Sequence, residues 1–535
     1  MVTRQPAGRG ARLLGLLLAV WFAPGLTAAQ SRAWNLDERA VLTNGRQITA
    51  LATTRDRVLV VTPSAVASYD PGTRAWRGPW QPATPGQLAA VRAALADPFD
   101  DALWLVLSGG WLRFDPAMQL WESGTVPGGV TDAALDDAAP AAGLFLRTSS
   151  GWYSAQRGGG ALPAGAPVRP RRPLLPAQAI QANPTIEAVS AYYLVSARTG
   201  RARLTAVARA EGFLGQGWYL GTSATGLWYL ADAAGRPEPV CFGLPGEEAD
   251  AVFVGPGGVW VATGRTPGVD PNLGFVAADL TSFQWVLPPA SNGIPYNQAR
   301  RLVGLGSSLW IGSDQGVIRV QPADADVERF EPGRGLPDGR IADLAQRRGR
   351  LVAGTAHGLA SWTDSSGWTS LAPTFADEAL AVLPGPPPDT IWVGTGRGLF
   401  FLPPLETDLL QPAGLGEGLS LQGRVVGLVW RGDTLVGLMN NRLLWRDPGR
   451  GEFRLSPLLS AAIGVPRILV NGPDGLYVGG DRGVTRAGLS TPPGRALTAP
   501  EDLPGAVRDL AVDDRYLWIA TARGLVRLQL GILGP

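Results

Sequence analysis

The feature that most constrains the fold of this chain is a strand pattern that recurs about every 40 residues. Each copy has a short apolar strand, a turn, a strand ending in Leu/Ile-Trp-Ile/Val-Gly, a hairpin turn that closes on glycine, and another apolar strand. The clearest copies cover residues 309–318 and 391–400, and about eleven copies can be found along the chain. One such unit cannot bury both faces of its sheet, so neighbouring units must stack.

Four strands per unit at this period predict an all-β fold, a β-propeller of four-stranded blades. The sequence has 71 glycines and 46 prolines in 535 residues, enough to supply the turns and too many for a helical solenoid. About eleven repeats exceed the four to eight blades of a usual ring. Two propellers on one chain and one large ring both fit the pattern.

The two ends of the chain predict how the fold closes. The last repeat begins at Val507 and has room for about three strands before the chain ends. Residues 33–52 resemble the connector at residues 330–345, which joins two repeats. We therefore predict that an N-terminal strand completes the last blade, which removes two exposed sheet edges. In a two-ring arrangement, the first and last repeats would share one ring.

The N-terminus is typical of a secretory signal peptide, residues 1–29. Arg4, Arg9 and Arg12 precede the apolar residues 13–23, and small residues lead to a cleavage site after Ala29. The apolar run is about eleven residues, shorter than the roughly 20 that span a bilayer. We expect a periplasmic or secreted protein with no membrane span once the peptide is removed. Its removal changes the formal net charge from +2 to −1, which gives nucleic-acid binding no electrostatic support.

The remaining chain divides into three parts by its repeats. Residues 30–165 carry the N-terminal propeller repeats and the closing strand, and residues 203–535 carry further propeller repeats. Residues 166–202 interrupt the pattern, being rich in proline and arginine at 167–176 and compatible with a short helix at 185–195. This segment is either a crossover between two propellers or an irregular insertion within one.

The repeats resemble those of the two-component regulator propeller family. The matching motif is a Gly-Leu-Pro connector, a strand, an aromatic-bearing strand that ends in Gly-Thr, and a Gly-Leu hairpin exit. It occurs from Gly335-Leu336-Pro337 to Gly358-Leu359 and from Gly293-Ile294-Pro295 to Gly316-Val317, and the resemblance covers roughly residues 290–530. It implies an extracytoplasmic ligand-sensing propeller, which in this family is joined through a membrane helix to a kinase. Since this sequence ends on a blade, a role of that kind would require a partner protein.

Residues suited to catalysis or metal binding are few. His357 is the single histidine, which excludes multi-histidine metal sites, and its hairpin position predicts a turn residue. Asp132, Asp136 and Asp137 lack the spacing of a calcium loop and fit a solvated turn. Cys241 has no partner for an internal disulfide and fits a buried, inert thiol. We predict no catalytic residue, no metal and no cofactor.

The tryptophans repeat with the blades. Packing between blades is predicted for the set that recurs at one strand position: Trp104, Trp260, Trp310, Trp392 and Trp518. Outer strands are predicted for Trp76, Trp121, Trp285 and Trp368.

Arginines recur where a propeller gathers its loops. Connections between blades and the hairpins between second and third strands emerge on one face, around the mouth of the central channel. Arg46, Arg300, Arg340, Arg424 and Arg467 precede first strands, Arg397, Arg482 and Arg523 lie in hairpins, and Arg265 lies in a longer hairpin. Such a collar would bind carboxylate or sulfate groups bidentately. Alternatively, these arginines pair with nearby acids such as Asp343, Asp481 or Asp514.

Two functional classes remain. The first is an exported, non-catalytic, sensor-like binding module that uses a propeller face for an anionic glycan, another small ligand or a protein partner in the cell envelope. The second is a propeller hydrolase or lyase that acts on a polysaccharide or lactone. A pocket with perturbed carboxylates favours the enzyme, and an arginine-rich face without acids favours binding.

Overall fold

The chain is built almost entirely of antiparallel β-sheet, as the repeats predict. A computed structural model describes residues 34–82, 84, 86–158, 160–178, 193–196, 200–210, 215–231, 236–264, 272–286, 294, 296–372, 375–386, 390–403, 409–413, 423–447, 449 and 451–534. The strands among them form eleven sheets, three short 3-10 helices lie at Gln87–Ala90, Pro140–Ala142 and Ala461–Ile463, and residues 176–178 are also helical. The signal peptide predicted at residues 1–29 lies outside the described residues.

The first strand is β1 (Arg39–Leu42), and the chain then enters a group of four sheets that we call the insert. Insert sheet 1 contains β2 (Ala50–Thr53), β3 (Val58–Val61), β4 (Val66–Asp70) and β5 (Ala75–Trp80). Insert sheet 2 contains β6 (Ala93–Ala96), β7 (Leu103–Val106), β8 (Gly110–Asp115) and β9 (Leu120–Thr125). Insert sheet 3 contains β10 (Asp132–Asp136), β11 (Leu144–Thr148), β12 (Gly151–Ala155), β13 (Ala161–Ala164) and β14 (Pro170–Arg171). Insert sheet 4 contains β15 (Tyr193–Ser196), β16 (Gly200–Ala210), β17 (Gly217–Thr222), β18 (Leu227–Ala231) and β19 (Glu238–Val240).

Seven further sheets follow as blades 1 to 7. Blade 1 contains β20 (Ala249–Gly255), β21 (Gly258–Thr263), β22 (Leu273–Ala277) and β23 (Phe283–Trp285), and blade 2 contains β24 (Ala299–Leu305), β25 (Ser308–Ser313), β26 (Gly316–Gln321) and β27 (Asp326–Phe330). Blade 3 contains β28 (Ile341–Arg347), β29 (Arg350–Thr355), β30 (Gly358–Thr363) and β31 (Gly367–Leu371), and blade 4 contains β32 (Ala379–Pro384), β33 (Ile391–Thr395), β34 (Leu399–Leu402) and β35 (Gln411–Pro412). Blade 5 contains β36 (Val425–Arg431), β37 (Thr434–Met439), β38 (Arg442–Arg446) and β39 (Phe453–Leu455), and blade 6 contains β40 (Pro466–Asn471), β41 (Leu476–Gly480), β42 (Gly483–Ala487) and β43 (Ala496–Thr498). Blade 7 contains β44 (Val507–Val512), β45 (Tyr516–Thr521) and β46 (Gly524–Gln529), with β1 as its fourth strand.

The seven blades form a closed ring. The first strand of each blade lies beside the first strand of the next, in the order β20, β24, β28, β32, β36, β40 and β44, and β44 lies beside β20. In the insert, β2 lies beside β6 and β16, and insert sheets 2 and 3 pack through a shared apolar cluster that includes Trp104 and Leu144. The fold is therefore a seven-bladed propeller with four sheets inserted after its first strand.

The predicted closure by the N-terminal strand is confirmed. β1 pairs antiparallel with β46, with Arg39 opposite Leu528 and Leu42 opposite Leu525. Leu42 is fully buried in a core cluster with Trp518 of blade 7. The first and last segments of the chain thus share one blade, which hides the outer edge of β46.

The sheets divide the chain at different points from those expected from the sequence. Residues 166–202 supply β14, β15 and the start of β16 to the insert, while the ring and the insert are joined by residues 43–48 and 241–249. The helix expected at residues 185–195 is wrong at its end, because residues 193–195 belong to β15; residues 185–192 lie outside the described residues. The Tyr-Leu-Val sequence at this point favours a strand.

A repeated hydrogen bond explains the Gly-Thr and Gly-Leu motif. In four blades, a buried Ser or Thr hydroxyl at the end of the second strand donates to the carbonyl of the glycine three residues later, at 2.7–3.1 Å: Ser313 to Gly316, Thr355 to Gly358, Thr395 to Gly398 and Thr521 to Gly524. Gly316 has a φ of +117°, and a Cβ there would lie 2.2 Å from the Phe330 carbonyl oxygen. This requirement fixes glycine at the hairpin exit.

Both predictions for the tryptophans are confirmed. Trp104, Trp310 and Trp518 are fully buried, and the half-buried Trp260 and Trp392 pack against apolar clusters that join neighbouring blades. Fourth strands carry Trp76, Trp121, Trp285 and Trp368.

The two connections between ring and insert run side by side. The Gly45 N–H donates to the Leu244 carbonyl at 3.0 Å, and the Leu244 N–H donates to the Thr43 carbonyl at 2.9 Å. A Cβ at Gly45 would lie 1.6 Å from the Phe242 carbonyl oxygen, so only glycine permits this approach. One core cluster contains residues of both connections, of insert sheet 4 and of blades 1 and 7.

Candidate functional site

A cavity of the ring has a volume of about 1140 Å³ and is lined by starts of first strands and by hairpins. These are the elements that the sequence predicted to meet at one channel mouth. Its charged lining consists of Arg300, Arg301, Arg424, Arg467 and Arg508, with Asp250, Asp343, Glu378, Asp481 and Asp509.

A β-bulge in the first strand of every blade aims one side chain at this cavity. The pairing of each first strand with the second shifts by one residue, for example between Ala299 and Arg301 in blade 2, and the skipped residue has no partner. In blade order, the seven skipped residues are Asp250, Arg300, Ala342, Leu380, Val426, Arg467 and Arg508, and all seven line the cavity. The chemistry of the mouth is therefore set by one position per repeat.

In blades 2, 3 and 7, the residue after the bulge belongs to one ionic network across the ring: Arg301, Asp343 and Asp509. The Arg301 guanidinium donates to Asp343 Oδ1 at 3.0 Å and to Asp509 Oδ1 at 2.8 Å. The second oxygen of Asp509 accepts the Val252 N–H, and that of Asp343 accepts the Val382 N–H. This network links blades 1, 2, 3, 4 and 7, and one guanidinium in it faces two carboxylates, each of which also accepts a backbone N–H.

Asp250 lies in a second group, in which one arginine again faces two carboxylates. Its carboxylate is 3% exposed and lies 3.5 Å from the Arg508 guanidinium, which also donates to Glu248 at 2.8 Å. Burial, opposed by Arg508 and reinforced by Glu248, raises the pKa of Asp250 to about 7. Asp250 therefore changes charge near neutral pH at the wall of the cavity.

Three arginines at the cavity make no side-chain hydrogen bond or ion pair with any residue that the structure describes: Arg300, Arg424 and Arg467. All three are exposed. Arg424 lies on blade 5 and Arg467 on the adjacent blade 6, and the amide side chains of Asn440 and Asn441 also line this part of the mouth. Unpaired guanidiniums next to amide donors form a site that can accept an oxyanion.

The other predicted collar arginines lie elsewhere or have partners. Arg340 donates to Glu378 at 2.6 Å, Arg397 pairs with Asp377, and Arg482 donates to the Ala461 carbonyl at 3.2 Å. Arg523 is exposed but does not line the cavity, and Arg265 lies outside the described residues.

Arg46 has a structural role instead of the predicted exposed one. It is 3% exposed and donates to the carbonyls of Ala224 and Pro245, at 2.8 and 3.3 Å. It thus joins the connection at residues 43–48 to insert sheet 4 and to the second connection. Arg46 was expected at the channel mouth because residues 33–52 resemble the connector between two blades at residues 330–345.

His357 and the aspartate cluster have local partners. His357 Nδ1 lies 2.7 Å from Asp338 Oδ2, and the imidazole is largely exposed in the hairpin between β29 and β30. Asp136 accepts the backbone N–H groups of Val168, Arg169 and Ala138, and Asp132 pairs with Arg172 at 3.0 Å. These contacts describe turns.

Sequence reasoning missed Asp250, Arg301, Arg508 and Asp509. An alignment of the repeats by their first strands would have found Asp250 and Arg508, because both occupy the bulge position of Arg300 and Arg467. Arg340 and Arg424 lie one residue before their strands and belong to a different position. No pattern in the sequence marks Arg301, Asp343 and Asp509 as mutual partners, since they come from three blades.

No protein-family model and no curated protein matches this chain. Among solved structures, it is similar to the extracellular domain of a protein described as a hybrid two-component system from B. thetaiotaomicron, at 12% identity and a TM-score of 0.40, over 90% of this chain and 70% of that one. A second domain of this description from the same organism has 12% identity and a TM-score of 0.33, over 95% and 77% of the two chains. Virginiamycin B lyase from Staphylococcus aureus has 12% identity and a TM-score of 0.41, over 53% and 95%.

Extracellular domains of two-component systems are thus among the structures that this chain is similar to. The propeller fold rests on the strand pairing described above. Within the described residues, no helix has the length and apolar character needed to cross a membrane.

Proposed function

We propose that this chain is an exported, non-catalytic, sensor-like binding module that acts in the periplasm or outside the cell and recognises an anionic ligand at the ring cavity. The observation that carries the proposal is the set of three exposed arginines, Arg300, Arg424 and Arg467, whose guanidiniums make no hydrogen bond or ion pair with any described residue. Their neighbours Arg301 and Arg508 are already engaged by carboxylates. An anionic glycan or another carboxylate or sulfate would supply the missing acceptors.

The acids at the cavity do not cancel this preference. Asp343 and Asp509 are bound by Arg301, Glu378 is bound by Arg340, and Asp481 accepts the Val465 N–H at 2.8 Å. Asp250 carries a proton for much of the time near neutral pH. The cavity lining holds five arginines and five acids, so the preference for an anion is local to the exposed guanidiniums that have no ion pair among the described residues.

The test measures binding of oligogalacturonate, a sulfated glycan and a neutral maltooligosaccharide by calorimetry and thermal shift. The variants are Arg424→Ala, Arg467→Ala and, as a matched control, Arg77→Ala, which removes an exposed guanidinium from β5. We expect only anions to bind, with a loss of about tenfold or more per cavity arginine, because a charged hydrogen bond contributes about 1.5–3 kcal/mol. Binding that is equal in all variants would contradict the proposal. If no anion binds, the ring face is better explained by a protein partner in the cell envelope, sought by cross-linking.

One observation favours the second candidate, a propeller hydrolase or lyase. Asp250 has a pKa raised to about 7 in a cavity with arginines, which is the usual state of a general acid. The check is turnover of polysaccharide and lactone substrates by the native protein, Asp250→Asn and His357→Ala. Our proposal expects no turnover in any of them, whereas turnover lost in Asp250→Asn alone would support the enzyme.

A further inference from the structure

We infer that the ring cavity binds an amphipathic anion, one whose carboxylate or sulfate adjoins an apolar body; this rests on the proposed function and narrows it. By their bulge residues, the seven blades form two continuous halves of the mouth, and Asp343, Glu378 and Arg424 also line the cavity on the side of blades 3 to 5. Blades 6, 7, 1 and 2 contribute Arg467, Arg508, Asp250 and Arg300 in that order, and blades 3, 4 and 5 contribute Ala342, Leu380 and Val426. The polar residues are neighbours around the ring, and so are the apolar ones.

The apolar half is open to the cavity. Ala342, Leu380 and Val426 all line it and are partly exposed. Each occupies the bulge position of its first strand, and Val426 also packs against the apolar cluster that joins blades 5 and 6. An apolar surface of this kind gains free energy when a ligand removes it from water.

The place of the anion follows from where the halves meet. Arg424 and Val426 lie on blade 5, two residues apart, and Arg467 lies on the adjacent blade 6. An oxyanion held by Arg424 and Arg467 would therefore have Val426 beside it, with Leu380 one blade further on. The ligand's apolar body would extend from the anion along blades 5, 4 and 3.

A ligand with hydroxyl groups over its whole surface fits this arrangement poorly. Leu380 and Val426 offer no hydrogen bonds, and a hydroxyl buried against them loses its bonds to water. An anionic glycan meets the requirement only where it carries an acyl or aryl substituent next to its charge. The cavity, at about 1140 Å³, is large enough for such a group together with a sugar.

Three small probes separate the two parts of the inference: 2-naphthoate, which has both charge and apolar body; galacturonate, which has charge only; and 2-naphthalenemethanol, which has the apolar body only. Calorimetry on the full chain should show 2-naphthoate binding about tenfold or more tighter than either of the others. Burial of one ring system provides at least about 1.4 kcal/mol, which is tenfold in affinity.

Two kinds of variant complete the test. Leu380→Asn and Val426→Thr, which keeps the shape of valine, should weaken 2-naphthoate binding about three- to tenfold and leave galacturonate binding unchanged. Arg467→Ala should weaken both anions, and Arg77→Ala should weaken neither. A thermal unfolding curve for each variant checks that it is folded.

The outcomes separate this inference from the proposed function. If galacturonate binds as tightly as 2-naphthoate and Leu380→Asn changes nothing, the inference is overturned while the proposed function stands. If 2-naphthalenemethanol binds as tightly as 2-naphthoate, the arginines do not contribute to binding of the carboxylate. The inference and the proposed function are then both wrong. If neither anion nor any anionic glycan binds, the proposed function fails and the inference fails with it.

Discussion

At the scale of single residues, the same strand position carries opposite chemistry in different blades. The bulge residue is aspartate in blade 1, arginine in blades 2, 6 and 7, and apolar or small in blades 3 to 5. Because a bulge residue has no partner across the strands, its identity is not constrained by the sheet. The position can therefore vary with function while the blade around it keeps its packing.

Asp250 gives a pH-dependent prediction at this scale. Its pKa of about 7 in the folded protein is above the ordinary carboxyl value of about 4, so the folded state holds a proton that the unfolded state has released between these values. Stability therefore falls as the pH rises through this range, by up to about 1.4 kcal/mol per pH unit. Asp250→Asn should gain stability over the native protein as the pH rises from 5 to 8, measured by urea unfolding.

Asp136→Asn is the control of opposite sign. Hydrogen bonds from the Val168 and Arg169 N–H groups lower the pKa of Asp136, so its stabilisation is present above pH 4 and is lost only below it. Between pH 5 and 8 the difference between this variant and the native protein should stay constant. If Asp250→Asn shows the same constant difference, the raised pKa of Asp250 is wrong.

The residue scale also shows where sequence reasoning stops. Arg300, Arg424 and Arg467 were found because loops of a propeller meet at a predictable face, but Arg340 and Arg397 looked the same in sequence and turn out to be paired. The difference is a matter of which carboxylate lies within reach. Glu378 lies in the connector that leads into the blade after that of Arg340, and Asp377 lies in the connector that leads into the blade of Arg397 itself, so both distances depend on how a connector packs against a loop. Periodicity within a repeat contains no information about these distances.

At the scale of elements, blades were predictable because each signal is local. The tryptophan-bearing strand, the hydroxyl at its end and the glycine three residues later all lie within one hairpin. The bulges were not predicted, since one extra residue in a strand of six or seven leaves the apolar alternation nearly intact. The partition into ring and insert depends on which sheets are neighbours, a long-range property.

Closure by β1 leads to a prediction about this element. Leu42 is fully buried in the core cluster that it shares with Trp518 of blade 7. Leu42→Ala should therefore lower the free energy of unfolding by about 3 kcal/mol. The matched control is Leu120→Ala in β9, also a fourth strand, where the side chain is 44% exposed and the expected loss is below about 0.5 kcal/mol. Equal losses in urea unfolding would mean that β1 contributes little to the ring.

At the scale of the whole molecule, ring and insert share one core. The described residues of Trp34–Pro535 form one compact unit, and the two connections exchange backbone hydrogen bonds beside it. From the first connection, Arg46 donates to a carbonyl of insert sheet 4 and to a carbonyl of the second connection. If the junction opened, the Arg46 guanidinium and its two acceptor carbonyls would lose these hydrogen bonds at the same time. We therefore expect ring and insert to unfold in one cooperative step.

Cys241 is a reporter of that opening, because it lies in the connection at residues 241–249 and is partly buried. Burial raises the pKa of its thiol to about 12, so at pH 8 the thiolate that reacts with labelling reagents forms mainly when the junction opens. Arg46→Ala should speed labelling by about tenfold or more, since each lost hydrogen bond of this charged donor lowers the opening free energy by about 1.5–3 kcal/mol. The control is Arg446→Ala, which removes an exposed guanidinium that donates to the Gly451 carbonyl at 3.2 Å, far along the chain in blade 5. It should leave the labelling rate unchanged. If Arg46→Ala also leaves it unchanged, Arg46 does not hold ring and insert together, and the shared apolar core alone does so.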